Sequence, residues 1–558
     1  MSVIPAPFQA TASDGEPFIL RASTPVAAGS PTLAPLVAWF RAELAALTTI
    51  VLTEGTAGDD MPGIRLMLDP DDASLAALPL PAGLRADDGD VGIERYGLTI
   101  GAEGVTIRAL APEGIFRGLT TLLQLAATTT GATGETGAIA LPAVTVLDAP
   151  RFAWRGFSFD VVRCAFSVDE VKRVIDLLAF YKANTLHLHL TDSEGWRIEI
   201  DAWPKLTEIS GKTAAAGREG LFYTKDDYRD IVQYAADRFI TIVPEIEMPG
   251  HTAAIFAAYP ELAGDGTGDP AEITAKSHHF QAMHPDNPYI HGFIRDVLTE
   301  VSAITPGAYL HVGGDEALGM DEEQYARFMR AAMPIVGEVG KKLVGWQEVA
   351  RAGFAPGQVA QLWISATMNA GGDGAPDLSD LDLPEGFEPP ENAEEVLGAF
   401  AAFMQVAGLD LGKVLAQEAR ILLSDSSVSY LDTKYREDPV DPSGEQLATR
   451  KRLGMPFYPR KTVQEFFQWD PATQRPELSP AQMAGIEAAI WCESIASFDD
   501  LLFLLLPRLP GLMEKGWSPA TAGPDFGWEA YAPRLAAQDA IWEKRGLPYF
   551  RSSVVWDE

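Results

Sequence analysis

The sequence predicts an α/β fold: a (β/α)8 TIM barrel preceded by a small N-terminal α+β domain. Three observations carry this expectation. Strand and helix signals alternate from Arg151 onward, the pattern of parallel βα units. Eight strand candidates can be counted in that stretch, the number that closes a barrel. No G-x-G-x-x-G phosphate loop follows an early strand, which argues against an open doubly wound sheet.

The candidate strands are Phe157–Val162, Leu186–Leu190, Ile240–Ile246, Tyr309–Val312, Lys342–Trp346, Val359–Trp363, Arg420–Ser424 and Glu487–Trp491. The clearest helix follows the first of them. Ser167 and Glu170 form a capping box, and Val171, Val174, Ile175 and Leu178 then share one apolar face. Thr224 and Asp227 open a second helix, with Tyr228, Ile231 and Ala235 inward. A third carries Ile290, Phe293, Ile294, Val297, Leu298 and Val301. Residues 1–150 form the N-terminal unit and 151–558 the barrel. In the former, Tyr96–Ile100 and Val105–Ala109 alternate around Gly101 and Gly104 as a hairpin. Gly114–Ala127 has helical spacing, and Gly131–Gly137 is a Gly/Thr-rich loop. An insertion around 366–416 follows strand six; its part Asn369–Glu391 is rich in Gly, Asp, Pro and Glu, and Asn392–Ala416 is helical in pattern.

The 558 residues include 47% apolar side chains, enough for a large core, and carry a formal net charge of −35. Such a surface repels phosphate backbones, so a nucleic-acid partner is not expected. The N-terminus shows no basic stretch followed by an apolar one, so the expectation is a cytoplasmic protein. The apolar run Leu501–Leu506 is too short to span a bilayer, and no membrane partner is expected. Cys164 and Cys492 lie far apart and mark neither a disulfide framework nor a metal spacing. Oligomeric state is left open.

In a barrel of this kind the reaction centre lies at the C-terminal strand ends. Those ends carry Arg163, Asp192, Glu245 with His251, Asp315-Glu316, Trp346 with Glu348, Trp363, Tyr430 with Asp432, and Trp491 with Glu493. Carboxylates accept hydrogen bonds from sugar hydroxyls, and indoles pack on the apolar face of a pyranose. Asp315-Glu316 is the sharpest feature. Two adjacent carboxyls in a cleft raise the pKa of at least one, which suits a general acid for a leaving oxygen. Gly313 and Gly314 let the backbone bend as the strand ends.

The string His311-Val-Gly-Gly-Asp315-Glu316 resembles the signature of glycoside hydrolase family 20, the β-N-acetylhexosaminidases. Further motifs agree in order: Arg155-Gly-Phe-Ser-Phe-Asp160-Val-Val-Arg163, His189-Leu-Thr-Asp192 with Gly195-Trp196-Arg197, Pro244-Glu245 with Pro249-Gly250-His251, Tyr430-Leu-Asp432 and Trp491-Cys-Glu493. Tyr96-Gly-Leu-Thr-Ile and Gly118-Leu-Thr-Thr-Leu-Leu-Gln-Leu resemble the family's small α+β domain. The resemblance implies a carbohydrate substrate with a terminal N-acetylhexosamine, whose own acetamido group is the nucleophile, and no metal or other cofactor. It implies that Glu316 is the general acid/base and that Asp315 orients the acetamido N–H. Tyr430 would bond the acetamido oxygen, with Trp346, Trp363, Trp491 and Trp469 as walls. Arg163, Asp432 and Glu493 would bind hydroxyls, and Asp192 and His251 would tune Glu316. Three departures stand out: Cys164-Ala165 after Arg163, Glu247 where the family usually has Asp, and the size of the insertion.

Two other readings compete. His187 and His189 alternate on one strand and so share a face, which would suit a metal-dependent barrel hydrolase. A non-catalytic sugar binder is the other, but a binder has no need of an acid beside Tyr430.

Overall fold

The computed structural model describes residues 1–52, 62–129, 137–365, 393–456, 458–520 and 526–556. Eight parallel strands close a barrel: β1 (Trp154–Asp160), β2 (Thr185–His189), β3 (Thr241–Glu245), β4 (Tyr309–His311), β5 (Lys342–Trp346), β6 (Val359–Leu362), β7 (Arg420–Leu423) and β8 (Met483–Ile490). Each pairs with its successor in the chain, and β8 closes on β1 with Gly485 opposite Trp154 and Ile490 opposite Phe159. All eight expected strands are present. The largest differences are at the starts of β1 and β8, three and four residues earlier than the sequence pattern suggested. Both strands are buried along their whole length, so no alternation marks where they begin.

The three expected helices form as Val168–Phe180, Lys225–Ala236 and Ile290–Ala303. Both capping boxes are made: Ser167 with Glu170, and Thr224 with Asp227. Each helix buries the face its apolar spacing marked.

Residues ahead of the barrel build a six-stranded sheet in the order Gln9–Ala12, Val144–Asp148, Tyr96–Gly101, Gly104–Ala109, Gly63–Leu68, Val26–Ala28. The expected hairpin is its centre. Helix Pro112–Thr128 is buried almost end to end. It lies between this sheet and the barrel, touching Phe180 through Gln124 (3.3 Å) and Phe239 through Arg117 (3.4 Å). Around it five buried charges cluster. Arg117 binds Glu94 and Glu113, Arg85 binds Glu113, and Arg155 of β1 reaches Glu94. The segment 82–86 closes the barrel floor. Leu84 N donates to Ala484 O (2.9 Å), and Ala86 O accepts from Ala308 N (3.2 Å). Ala86 packs with Trp154, Val243, Tyr309, Val344, Val359 and Leu422 inside the strands.

The expected loop Gly131–Gly137, apart from Gly137, and the insertion Asn369–Glu391 lie outside the described residues. The helical reading of Asn392–Ala416 corresponds to helices Ala393–Ala407 and Asp410–Ala416. The stretch Glu394–Ala416 has the length and apolar content of a membrane span, with a mean hydropathy of 1.4. It is interrupted at Gly408–Leu409, and Phe400, Phe403 and Met404 pack against an aromatic cluster at the barrel mouth.

Candidate active site

Strand β4 ends at His311 because the next glycines leave the extended region: Gly313 has φ +62° and Gly314 φ +104°. A Cβ on Gly313 would lie 1.8 Å from Glu247 Oε2, and one on Gly314 would lie 2.6 Å from Val349. Neither position has room for a side chain, so the double glycine is dictated by space as well as by backbone angle. The chain turns there and delivers Asp315 and Glu316 to the mouth, with side chains 13% and 28% exposed. Glu316 itself sits at φ +42° and His251 at +55°, conformations that L side chains rarely hold. Gly313→Ala is expected to lower the melting temperature and abolish activity, because Glu247 is fully buried and cannot withdraw. Thermal denaturation alongside a turnover assay checks this.

A chain of charge contacts supports the pair. His251 Nδ1 lies 3.1 Å from Asp192 Oδ1, and its Nε2 lies 3.7 Å from Asp315 and 3.8 Å from Glu316. Asp192 is held in turn by Arg163 (2.7 Å) and His189 (2.8 Å). Burial works against the Asp192 charge, but Arg163 and His251 keep its carboxyl well below the usual carboxylate range. Burial likewise opposes the His251 charge, yet Asp192 and Asp315 raise it to about 10. Burial raises Asp315, with the His251 imidazolium opposing it. Glu316 is pushed up to about 7 by burial first, against the pull of His251 and with the repulsion of Asp315. A substantial fraction of Glu316 is therefore protonated at neutral pH and able to donate. As pH rises through about 7, Glu316 loses its proton and kcat/KM should fall. His251→Asn removes a cation that lowers Glu316, so this falling limb should move to higher pH. A limb that stayed in place would remove His251 from the acid's environment.

Near Asp315 lies a cluster of aromatic rings. Trp346 and Trp491 centroids are 6.1 Å apart, and Tyr430 stands edge-on to Trp491 at 6.0 Å. Trp363 joins the same cluster and donates Nε1–H to Glu348 Oε1 at 3.0 Å. Tyr430 is within electrostatic reach of Asp315. Several polar atoms here are buried without a partner: Asp315 Oδ1, Trp346 Nε1, both carboxylate oxygens of Asp432, and Glu493 Oε2. Buried polar groups left unpaired are costly and mark where a polar ligand would be received. Burial and the neighbouring Glu493 carboxylate push Asp432 well above its usual value, and burial raises Glu493 against the pull of Arg163.

The structure thus gathers eleven of the twelve expected residues. Trp469 is the exception. It packs in the main core with Phe466 and Phe467, apart from the cluster of Trp346, Trp363 and Tyr430. It lies in the connection between Val463–Phe467 and Pro471–Gln474, not at a strand end. The metal reading of His187 and His189 is not supported either. Their donor atoms converge with Glu245, Glu247 and His311 closely enough for an ion, but the imidazoles are committed to protons. His187 Nδ1 is 2.9 Å from Glu487, and His189 spans Glu245 (2.5 Å) and Asp192 (2.8 Å). Burial would discharge them, yet Glu245 holds His187 at about 9 and, with Asp192, His189 well above its usual value. An imidazolium has no lone pair for a metal.

Two residues went unnoticed in the sequence. Tyr458 stands edge-on to Tyr430 at 5.7 Å, within reach of the charges of Asp432 and Glu316. It lies in a loop with no strand end to announce it. Glu194 is 3.2 Å from Arg163 Nε and is raised to about 7 by burial and by Asp192. It is two residues beyond Asp192, and the spacing gave no reason to prefer it.

A barrel whose mouth holds two adjacent carboxyls, one of them raised to about 7, and unpaired acceptors lined by indoles is built to break acetals of sugars: the protein is a glycoside hydrolase. The sequence model for the glycosyl hydrolase family 20 catalytic domain matches residues 152–375 and 403–520, and the model for that family's domain 2 matches residues 1–149. The chain belongs to glycosyl hydrolase family 20. A beta-N-acetylhexosaminidase from Cellulomonas fimi is 35% identical over the whole chain and 97% of its own length. The beta-N-acetylhexosaminidase structure from Streptomyces coelicolor superposes with a TM-score of 0.77 at 34% identity, covering 100% of this chain and 99% of that one. The Streptomyces plicatus enzyme, solved with Thio-NAglucal, does so with the same score and identity, covering 100% of this chain and 98% of its own; a mutant of it was solved with the product GlcNAc.

Proposed function

We propose that the protein is an exo-acting, retaining β-N-acetylhexosaminidase that removes terminal β-linked N-acetylglucosamine or N-acetylgalactosamine. The observation that carries this reading is the aromatic cluster near Asp315, with Asp315 Oδ1 and Trp346 Nε1 buried and unpaired. An acetamido group fits both features: its methyl meets the indoles of Trp346, Trp363 and Trp491, and its N–H finds the Asp315 carboxylate. The relative in complex with GlcNAc supports the sugar.

The chemistry then proceeds from the substrate. Its acetamido oxygen, held by the Tyr430 hydroxyl, attacks the anomeric carbon as the bond to the leaving oxygen breaks. Glu316 gives its proton to that oxygen. The attack is intramolecular, worth an effective concentration on the order of 10^5 M or more when the group is held in place. The bicyclic oxazolinium ion carries a positive charge next to Asp315, which stabilises it in a site largely closed to water. Glu316, now a carboxylate, takes a proton from water, which opens the ion from the face the leaving group vacated. Two inversions give retention, without the enzyme carboxylate nucleophile that most retaining glycosidases use. Asp432 and Glu493 accept from the hydroxyls of the terminal sugar, which supply the donors their unpaired oxygens lack, and the Arg163 guanidinium donates to a hydroxyl oxygen.

A panel of aryl glycosides tests the assignment. The β-N-acetylglucosaminide and β-N-acetylgalactosaminide should turn over, and a thiazoline analogue of the bicyclic ion should inhibit competitively. Hydrolysis of the unacetylated glucoside with no action on the acetamido sugars would overturn it.

A further inference from the structure

A small, partly open space, lined by none of the active-site residues, lies at the start of helix Arg508–Trp517. Its walls are apolar, from Val463, Phe466 and Phe467, but two polar side chains also line it: Arg508 and Tyr531. Arg508 is 2% exposed and Tyr531 1%. All three guanidinium nitrogens of Arg508 and the hydroxyl of Tyr531 are buried without a hydrogen-bond partner. Guanidinium stays charged and offers five N–H donors and no acceptor. Its flat face is served, 3.5 Å from the Tyr435 ring centre and 5.2 Å from that of Phe466. Ring faces attract the cation but accept none of its in-plane hydrogens. The helix start adds to the positive field. Pro507 occupies the cap position and makes no side-chain cap bond, so the first-turn dipole is unanswered.

Asp432, within electrostatic reach of Arg508, belongs to the active site and does not line the space, and the other acids nearby are at least partly engaged. Glu437 Oε1 accepts from Val463 N (3.0 Å) and Ser552 Oγ (2.6 Å), and Glu514 is bound to Arg534. Glu437 Oε2 is unpaired, but Glu437 does not line the space. The space is small, on the scale of a single water molecule or small ion.

We propose that this cavity binds a small monovalent anion of the halide class, chloride in ordinary solution. The Arg508 guanidinium supplies charge and in-plane donors, and the Tyr531 hydroxyl donates a further bond.

Two measurements on the full-length protein test it. Bromide-soaked crystals should show an anomalous peak within about 3.5 Å of both Arg508 and Tyr531 Oη. Melting temperature should rise saturably, by roughly 1–2 °C, as chloride replaces gluconate. Ionic strength must be held constant, because a chain of net charge −35 is stabilised by any salt that screens self-repulsion. Arg508→Met should abolish the chloride-specific rise. Should that variant not fold, Tyr531→Phe decides, since it keeps the shape and removes one donor. It should shift the chloride midpoint upward at least threefold. Identical melting in the two salts, or a water joining Arg508 to Glu437 Oε2 in place of the halide, would falsify the proposal.

Discussion

Asp315→Asn lowers kcat on an aryl β-N-acetylglucosaminide by roughly 10^2 to 10^3, by comparison with removal of a single preorganised electrostatic partner. The loss persists with a good leaving group, because ring closure itself is impaired. The substitution keeps the shape of the side chain and deletes only its charge. That charge faces the developing oxazolinium ion and also helps hold His251 protonated at about 10. Fold stability should change little, since Asp315 Oδ1 makes no hydrogen bond within the protein. Steady-state kinetics across activated and unactivated leaving groups provide the check. A variant within a few-fold of the parent would remove Asp315 from the mechanism.

Glu316→Gln behaves differently. Its cost depends on the leaving group: about 10^3 for a poor one, within the range of general acid catalysis, and little in the first step for a strongly activated phenolate. The same variant should lack the falling limb near pH 7, because the group that titrates there is gone. A uniform loss across leaving groups would show that Glu316 positions the substrate and does not donate the proton.

Much of this site is legible in the sequence because the barrel orders it. A strand end followed by Asp, Glu or Trp marks a residue at the mouth, and that rule places Asp192, Asp315, Trp346, Trp363 and Glu493 from alternation alone. The double glycine before Asp315 gives the turn away. Three things escape that rule. Tyr458 is delivered by a loop whose path depends on tertiary packing. Trp469 has the same chemical identity as the other indoles but stands off the strand ends, and only its packing sends it to the core. The protonation of His187 and His189 depends on Glu245, Glu487 and Asp192 arriving from other parts of the chain. An H-x-H pair in sequence is equally consistent with a metal ligand and with an imidazolium. At β1 and β8 the fold itself was blurred for the same reason: full burial erases the periodicity that marks a boundary.

The floor formed by Leu84 and Ala86, and the buried charges that join Glu94 to Arg155, bear on what can be exchanged between relatives. Excising the first 150 residues would uncap the lower end of the eight strands and strand a guanidinium of β1 in the interior with no counter-ion. Stranded buried charges cost several kcal/mol, comparable to the whole margin of a folded protein. The catalytic half is therefore not a portable module. A chimera or truncation is expected to need the leading sheet with the barrel.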